Sequence, residues 1–487
     1  MQPLRNEPVN KVEKHPFRIG LFGIGLDTYW PQFPGLQERL KASLAQVETR
    51  VARSGAEVVN VGLIDTPEKA FDASHRFRQA DVDLILLHVT TYALSSTVLP
   101  VVRRAKVPVI VLNLAPGAAM DYSAFSRLAD RRQMTGEWLA WCQACPVPEI
   151  ANVFQRSRIR FFQVTGILHD DPVAWGEIDD WIESARVARA MEHNRLGLMG
   201  HYYSGMLDVY SDLTQQCADF GGHIELIEVD ELSALRANVT FSEIEQRVLD
   251  FYDIFDVQSD CPAEELHRAG RTSVALDRLV KIHQLGSMAY YYRGSGNPAN
   301  EDAISSIILG TSLLTARGVP VAGEYEVKNA QAMKILDTFG AGGSFTEYYG
   351  VDFNDDVVLM GHDGPGHLAI AEGKTKVRPL SVYHGKLGRG LSVEMSVKHG
   401  AVTLLSVVQT GNGRLKLLTA QGESVPGPIL EIGNTNSRYR FSIGARRFIN
   451  EWNAHGPAHH CAIGIGHIAA KLEKLAALLD IEAARVC

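Results

Sequence analysis

The sequence predicts an α/β protein with two consecutive Rossmann-like parallel α/β domains, followed by an antiparallel β-barrel-like C-terminal domain. Three observations support this prediction. Apolar strands alternate with amphipathic helices early in the chain, the alternation resumes near residue 195, and short β-rich segments replace it beyond Gly340. Parallel sheets covered by helices produce the alternation of strands and helices, and antiparallel barrels or sandwiches produce the short β-rich segments. We therefore expect domains at residues 1–194, 195–340 and 341–487.

Composition limits the classes of protein that this chain can belong to. Its 487 residues exceed one ordinary core, and 46% hydrophobic with 21% charged residues is the balance of a soluble globular protein. The net charge of −8 argues against a nucleic-acid partner. No apolar run approaches the ~20 residues of a membrane span, and the polar N-terminus lacks a signal-peptide core. We expect a cytoplasmic protein without a membrane partner.

The first domain begins with a buried strand, FRIGLFG, at Phe17–Gly23. A helix is predicted over residues 35–54, because its apolar residues recur every three or four positions: Leu36, Leu40, Leu44 and Val47. The following strands and helices read, in order, EVVNVGLI, PEKAFDASHRFRQA, DVDLILLHV, SSTVLPVVRRA and VPVIVLNL. Ligands of such sheets bind beyond the carboxyl ends of the strands, which here read GIGLDTYW, HVTTYA and NLAPGA.

The segment GIGLDTY is not a dinucleotide-binding fingerprint, because it lacks the third glycine and the immediate helix that GxGxxG requires. Tyr29 and Tyr92 follow two of the strand ends, where they are candidates to line the mouth of a substrate pocket. Simple packing at a strand end explains both tyrosines equally well.

A polar, helical stretch over residues 120–193 precedes the second domain. Strands are expected at RLGLMGHY, HIELIEV, SMAYYYRG and VPVAGEYE. Helices are expected at LDVYSDLTQQCADFG, FSEIEQRVLDFYDIF, TSVALDRLVKIHQL, EDAISSIILGTSLLTARG and VKNAQAMKILDTF. The third domain is expected to contain DVVLMGH, LAIAEG, VRPLSVYH, LSVEMSVKHG, AVTLLSVVQT, GRLKLLTAQG and RYRFSIG as β segments and HIAAKLEKLAALLD as its terminal helix.

The six cysteines do not form a disulfide framework. Cys142 and Cys145 make a CxxC motif, but no second CxxC completes a zinc site. Two buried thiols are the expected state, and a redox or metal role is the alternative.

Two glutamates and three histidines stand at or near the ends of apolar segments, with glycines nearby. Glu324 ends the strand VPVAGEYE, where α/β folds place catalytic groups, and Glu347 lies among aromatic residues in SFTEYYG. His362 follows a β segment in GHDGPGH, and His459 and His460 follow the turn GPA. Each residue alone is explained as a solvated or core residue.

Together, Glu324, Glu347, His362 and His460 offer a mixed oxygen and nitrogen ligand set. Such a set suits Mn²⁺ and similar octahedral ions, with Co²⁺ or Mg²⁺ as possible substitutes. His459 is a candidate to contact substrate, or to position a ligand instead.

The order GE, TEYY, GH and GPAHH resembles the L-arabinose isomerase family, within the arabinose/fucose isomerase superfamily. The resemblance implies that Glu324, Glu347, His362 and His460 bind Mn²⁺. It also implies an aldose–ketose isomerase in which Glu324 and Glu347 move the proton through a cis-enediol. A homo-oligomer, in particular a hexamer, and a small sugar substrate are further implications.

The chain departs from this family in segments that would face the sugar. It carries GIGLDTYW, LNLAPGA and HHC where the family has GSQHLYG, an LHTQ-like segment and HHT. A member with the same metal site and a changed sugar or reaction is therefore an alternative. A non-catalytic sugar-binding protein and a two-carboxylate glycoside hydrolase are further alternatives, but neither accounts for His362 and His460.

Overall fold

The computed structural model describes residues 16–294, 296–380 and 388–487. The chain divides into two compact units, one ending at Arg189 and the other beginning at Ala190. None of the helices in the described part of the chain has the length and apolar character needed to cross a bilayer.

The N-terminal unit is built on a five-stranded sheet in which every neighbouring pair of strands is parallel. Its order is β2-β1-β3-β4-β5. The strands are β1 Arg18–Ile24, β2 Glu57–Ile64, β3 Leu84–His88, β4 Val109–Ala115 and β5 Phe161–Ile167. The helices are α1 Leu36–Ala52, α2 Pro67–Ala80, α3 Ser95–Arg103, α4 Tyr122–Ser126, α5 Arg131–Ala140, α6 Val147–Arg156 and α7 Pro172–Glu192, with a 3-10 turn at Asp27–Tyr29.

The periodicity of helix α1 is borne out by its packing, since Leu36, Leu40, Leu44 and Val47 are all buried. Strand β5 differs from the sequence prediction, which assigned residues 120–193 to a helical stretch. Its residues are mostly half-buried or exposed, with only Val164 fully buried, and it lies at the sheet's edge beside β4. An edge strand lacks the continuous apolar run that reveals a buried one.

The second unit contains a four-stranded parallel sheet of order β10-β9-β6-β7. The strands of this sheet are β6 Arg195–Gly200, β7 His223–Ile227, β9 Ser287–Tyr291 and β10 Val321–Ala322. The short strand β8 Asp256–Val257 lies outside this sheet. The helices are α8 Leu213–Phe220, α9 Val229–Ala237, α10 Phe241–Ile254, α11 Ala263–His283, α12 Pro298–Ile304, α13 Ile308–Ala316 and α14 Val327–Thr338, with a 3-10 turn at Leu207–Val209.

A closed barrel follows in the same unit. The barrel strands are β11 Ser344–Asp352, β12 Val357–His362, β15 Gly400–Gln409, β16 Leu415–Val425, β17 Thr435–Phe441 and β18 His460–Ile465; β13 Lys376–Pro379, β14 Leu391–Glu394 and β19 Glu482–Arg485 lie outside the ring. The antiparallel order β15-β18-β11-β12-β17-β16 closes through a second pairing of β16 with β15, and β19 adds to β16 in parallel. Helices α15 Ala445–Ala454 and α16 Ala469–Leu479 complete the chain.

These sheets confirm the predicted fold class, whereas several element predictions were wrong. The helix expected at EDAISSIILGTSLLTARG is two helices, and LAIAEG forms a 3-10 turn at Leu368–Ile370. Strand β13 pairs with β8 on one side and with β14 on the other, so these strands form a separate three-stranded sheet instead of entering the barrel. The SVYH part of VRPLSVYH and the polar N-terminal segment lie outside the described residues. The three domain boundaries stay a prediction.

The prediction of two buried thiols at the CxxC motif was also wrong. Cys142 and Cys145 form a disulfide with Cα atoms 5.4 Å apart. Cys142 is buried, but Cys145 is exposed. The turn between α5 and α6 brings the two Cα atoms within the distance that a disulfide requires.

Candidate metal centre

Three neighbouring barrel strands carry the candidate ligands of the C-terminal region. Glu347 on β11 lies directly opposite His460, the first residue of β18. His362 is the last residue of β12, whose Gly361 pairs with Glu347 across the other edge of β11. A Cβ at Gly361 would lie 1.9 Å from the carbonyl oxygen of Thr435, so the close approach of β17 beside His362 requires glycine.

Glu324 reaches the same place from the parallel sheet. It follows β10 by two residues, and both Glu324 and Tyr325 have left-handed backbones with φ of 55° and 59°. Hydrogen bonds hold this bend, since the amide of Tyr325 donates to the carbonyl of Tyr290 and that of Glu326 donates to Gly323. Consecutive left-handed residues other than glycine cost free energy and cluster at functional sites.

The ligand atoms converge on one point. Oε2 of Glu324 lies 3.3 Å from Nε2 of His460. Glu324, His362 and His460 each offer a ligand atom within 4.8 Å of the others, and the same holds for Glu347, His459 and His460. His460 therefore joins two groups that together contain all four predicted ligands.

The donor atoms have the protonation and the free valences that a divalent cation needs. Nδ1 of His362 lies 2.7 Å from the carbonyl oxygen of Asp363, which can only accept, so Nε2 keeps its lone pair. Oε2 of Glu324 and Nε2 of His460 are buried and have no hydrogen-bond partner among the described residues. Burial holds the pKa of His460 well below its usual value, which favours the neutral imidazole that binds metals.

Phe345 packs against both buried imidazoles. Its ring centroid lies 4.4 Å from that of His362 and 4.5 Å from that of His460, and the residue is fully buried. Aromatic packing of this kind restricts rotation of both imidazoles. Burial also raises the pKa of the neighbouring Glu347 carboxyl, so a proton on this group is favoured more than on a solvated glutamate.

His459 lies at the rim of the cluster. Its Nε2 is 3.8 Å from Oε2 of Glu324 and 4.0 Å from Oε2 of Glu347. On the other side, its Nδ1 lies 2.5 Å from the carboxylate of Asp208. The Glu324 and Asp208 carboxylates raise the pKa of His459 to about 9.

Glu326 and Lys328 form a buried ion pair behind His460 that sequence analysis did not single out. Nζ of Lys328 lies 3.1 Å from Oε1 of Glu326, and Oε2 of Glu326 lies 3.6 Å from Nδ1 of His460. Lys328 also donates to the carbonyl oxygen of Asp208 at 2.7 Å. Burial raises the pKa of Glu326 to about 7. The available signal was a glutamate and a lysine two positions apart in the segment GEYEVKN.

The predicted tyrosines lie in the N-terminal unit. Tyr29 ends a 3-10 turn and packs edge-on against Trp30 and Phe33. The hydroxyl of Tyr92 donates to the carboxylate of Glu149 at 3.1 Å. Both residues thus have packing or hydrogen-bonding roles within their own unit, and their contact with substrate stays a prediction.

The sequence of the barrel region was compared with known families. Residues 342–482 match the L-arabinose isomerase C-terminal domain. This region is similar in sequence to that domain. The match confirms the resemblance that the motifs predict. No curated protein matched the chain.

The arabinose isomerase domain contains Glu347, His362, His459 and His460, whereas Glu324 lies before it. The cluster is therefore completed by a residue outside the matched domain. Because Glu324 lies at the end of β10, the parallel sheet and the arabinose isomerase barrel both contribute to the candidate metal centre.

Proposed function

We propose that this chain is a metal-dependent aldose–ketose isomerase that acts on a pentose, hexose or deoxy sugar. The observation that carries the proposal is the convergence of Glu324, His362 and His460, with Glu347 opposite His460, at the edge of an arabinose isomerase domain. Glu324, Glu347, His362 and His460 would hold the ion. Mn²⁺ suits this oxygen and nitrogen set, with Co²⁺ or Mg²⁺ as substitutes.

A divalent cation at this position supplies a Lewis acid that polarises the adjacent oxygens of a bound sugar. The glutamates supply the proton transfer. One carboxylate of the pair Glu324 and Glu347 removes the proton from C2 of the aldose while the carboxyl group of the other protonates the carbonyl oxygen at C1, which gives a cis-enediol. The first group then returns its proton to C1 while the second takes up the proton of the C2 hydroxyl, which gives the ketose. The raised pKa of Glu347 suits a group that holds a proton during this transfer.

His459 would bind a sugar hydroxyl. It is half-exposed at the rim, while His460 beside it is buried, so His459 is the imidazole that a ligand can reach. Tyr29 and Tyr92 are proposed to contact the sugar as well. A homo-oligomer, in particular a hexamer, and a cytoplasmic location complete the proposal. The oligomer rests on the resemblance, and the location rests on the composition.

The test is an isomerisation assay of the full-length protein with added Mn²⁺ across pentoses, hexoses and deoxy sugars. Turnover of at least one aldose is expected, and Glu324→Gln and Glu347→Gln should each abolish it. Glu423→Gln is the matched control, because Glu423 is an exposed glutamate of the same barrel. Absence of turnover with every aldose, or near-full activity of either variant, would overturn the proposed function.

A changed substrate or reaction is the second candidate, favoured by the segments GIGLDTYW and LNLAPGA, which depart from the family pattern. This candidate predicts Mn²⁺ binding that depends on His362 and His460 but no aldose isomerisation. A non-catalytic sugar-binding protein would instead bind sugars without converting them. Calorimetry with Mn²⁺ and with each sugar separates the two.

A further inference from the structure

The Cys142–Cys145 disulfide lies in the N-terminal unit and has no role in the proposed isomerase chemistry. The bond links residues only three apart in sequence. So short a loop removes little entropy from the unfolded chain, and the bond therefore contributes less to stability than one that closes a long loop. Stability alone gives a weak reason for pairing these two cysteines.

Access to the two sulfurs is unequal. Cys145 is exposed, whereas Cys142 is 1% exposed. Cys145 also lies two residues before the first residue of helix α6, at the end of the helix whose dipole stabilises a thiolate. An external thiolate can therefore reach one sulfur of the bond but not the other.

Both helices that flank the disulfide hold the segment that follows strand β3. From the α5 side, the hydroxyl of Thr91 donates to the carbonyl oxygen of Leu139 at 2.7 Å. From the α6 side, the carboxylate of Glu149 accepts the amide of Ser95 at 2.9 Å and the hydroxyl of Tyr92 at 3.1 Å.

The CxxC loop itself makes a third connection. Gln143, between the two cysteines, is buried and donates from its side-chain amide to the carbonyl oxygen of Thr90 at 3.1 Å. Thr90 in turn accepts the amide of Ile24 at 3.0 Å, at the end of strand β1. The disulfide thus closes a loop whose contacts fix the carboxyl ends of two adjacent strands of the sheet.

We propose that Cys142 and Cys145 form a reversible thiol–disulfide exchange site for a dithiol reductant, and that its redox state controls the order of residues 89–95. A thiolate of the reductant attacks Sγ of Cys145, the bond between the two cysteines breaks, and Cys142 leaves as a thiolate that takes up a proton. The second thiol of the reductant then attacks the reductant's first sulfur, which is bonded to Cys145 in the mixed disulfide, and releases Cys145 as a thiol. The cysteine pair gains two electrons and two protons, and the reductant becomes a disulfide.

The first experiment equilibrates the full-length protein in mixtures of reduced and oxidised dithiothreitol, followed by acid quenching, unfolding, alkylation and peptide mapping. Cys142 and Cys145 should change together from disulfide to dithiol in one reversible two-electron transition. Cys217, Cys261, Cys461 and Cys487 are free and serve as internal controls. A pair that is alkylated in every mixture, or that stays oxidised in fully reduced dithiothreitol, overturns the exchange site.

The second experiment measures hydrogen exchange of peptides covering residues 89–95 with the pair oxidised and then reduced. Reduction should speed hydrogen exchange there by about fivefold or more, because a local segment opens more often when fewer contacts restrain it. The Cys142→Ser/Cys145→Ser variant should resemble the reduced protein and not respond to dithiothreitol, while Cys217→Ser should respond as the wild type does. Equal exchange in the two states of the wild-type protein, which needs no substitution, contradicts control of this segment.

Discussion

Asp208 fixes the orientation of His459 through two hydrogen bonds to one carboxylate oxygen. Its Oδ2 accepts the backbone amide of His459 at 3.0 Å and lies 2.5 Å from the ring Nδ1. Because an ionised carboxylate can only accept, Nδ1 carries the hydrogen, and Nε2 is directed to Glu324 and Glu347. The two partners are 251 residues apart in the chain.

Removal of this carboxylate should impair turnover more than stability. In Asp208→Ala, the His459 ring loses the acceptor that orients it, so we expect kcat/KM for the converted aldose to fall by about tenfold or more, as for other residues that orient a functional histidine. Asp260→Ala, at an exposed turn of the same unit, is the control. Activity of Asp208→Ala within twofold of the wild type would show that the pairing does not serve the reaction.

The Glu326–Lys328 pair should be costly to break from one side. Both side chains are buried, at 0% and 4% exposure, and removing one partner leaves the other charge uncompensated. Because burial raises the pKa of Glu326 to about 7, this group is only partly ionised at pH 7, so Glu326→Gln should lower the free energy of unfolding there by about 1–2 kcal/mol. Glu326→Gln/Lys328→Met should recover much of this loss. Urea unfolding of the single and double variants measures the coupling.

A surface pair provides the comparison for this cycle. Arg447 and Glu451 lie one helical turn apart on α15, with side chains 67% and 39% exposed. Glu451→Gln should cost no more than about 0.5 kcal/mol, because solvent screens an exposed pair. If Glu326→Gln cost as little as Glu451→Gln, the ion pair behind His460 would have no energetic importance.

The candidate ligand residues of the barrel could be singled out from the sequence because each has a local signal. Glycines surround His362, a sharp turn precedes His460, and aromatic residues surround Glu347, so each residue stands out within a short segment. The same reasoning located Glu324 at a strand end.

The partners of these residues were not predictable, because they come from distant segments. No local pattern indicates that Asp208, in a 3-10 turn, binds His459, or that Phe345 packs against both His362 and His460. Pairing of β13 with β8 depends on tertiary contacts across 120 positions of sequence, from Asp256 to Lys376. Strand β5 was missed because its mostly half-buried or exposed residues lack a continuous apolar run, whereas the edge strands β2 and β7 were predicted from the segments EVVNVGLI and HIELIEV.

Binding of Mn²⁺ should stabilise the second unit. An ion that binds only the folded protein adds about 2.7 kcal/mol at a free concentration of 100 times Kd, so Tm should rise with added Mn²⁺ and fall back with a chelator. His362→Ala removes a candidate ligand and should abolish the rise. His399→Ala, an exposed histidine of the same region, should retain it. An equal rise in Tm for His362→Ala and the wild type would place the ion elsewhere.

Acid should weaken the N-terminal unit through His88, independently of any metal. His88 is 1% exposed at the end of β3, and burial lowers its pKa to about 4 from an ordinary value of 6.5. The unfolded chain therefore binds this proton more readily than the folded one, so the stabilising contribution of neutral His88 is complete above pH 6.5 and is lost as the pH falls toward 4. Between pH 7 and pH 5 the loss should be about 2 kcal/mol.

The glutamine of His88→Gln cannot take up the proton, so this variant should lose correspondingly less stability over the same range. Hydrogen exchange of β3 peptides in a urea series at the two pH values measures both proteins, and the difference between them cancels all other titrating groups. Equal losses of unfolding free energy between pH 7 and pH 5 in the wild type and the variant would contradict this prediction. They would show that His88 has the same protonation state in the folded and the unfolded chain.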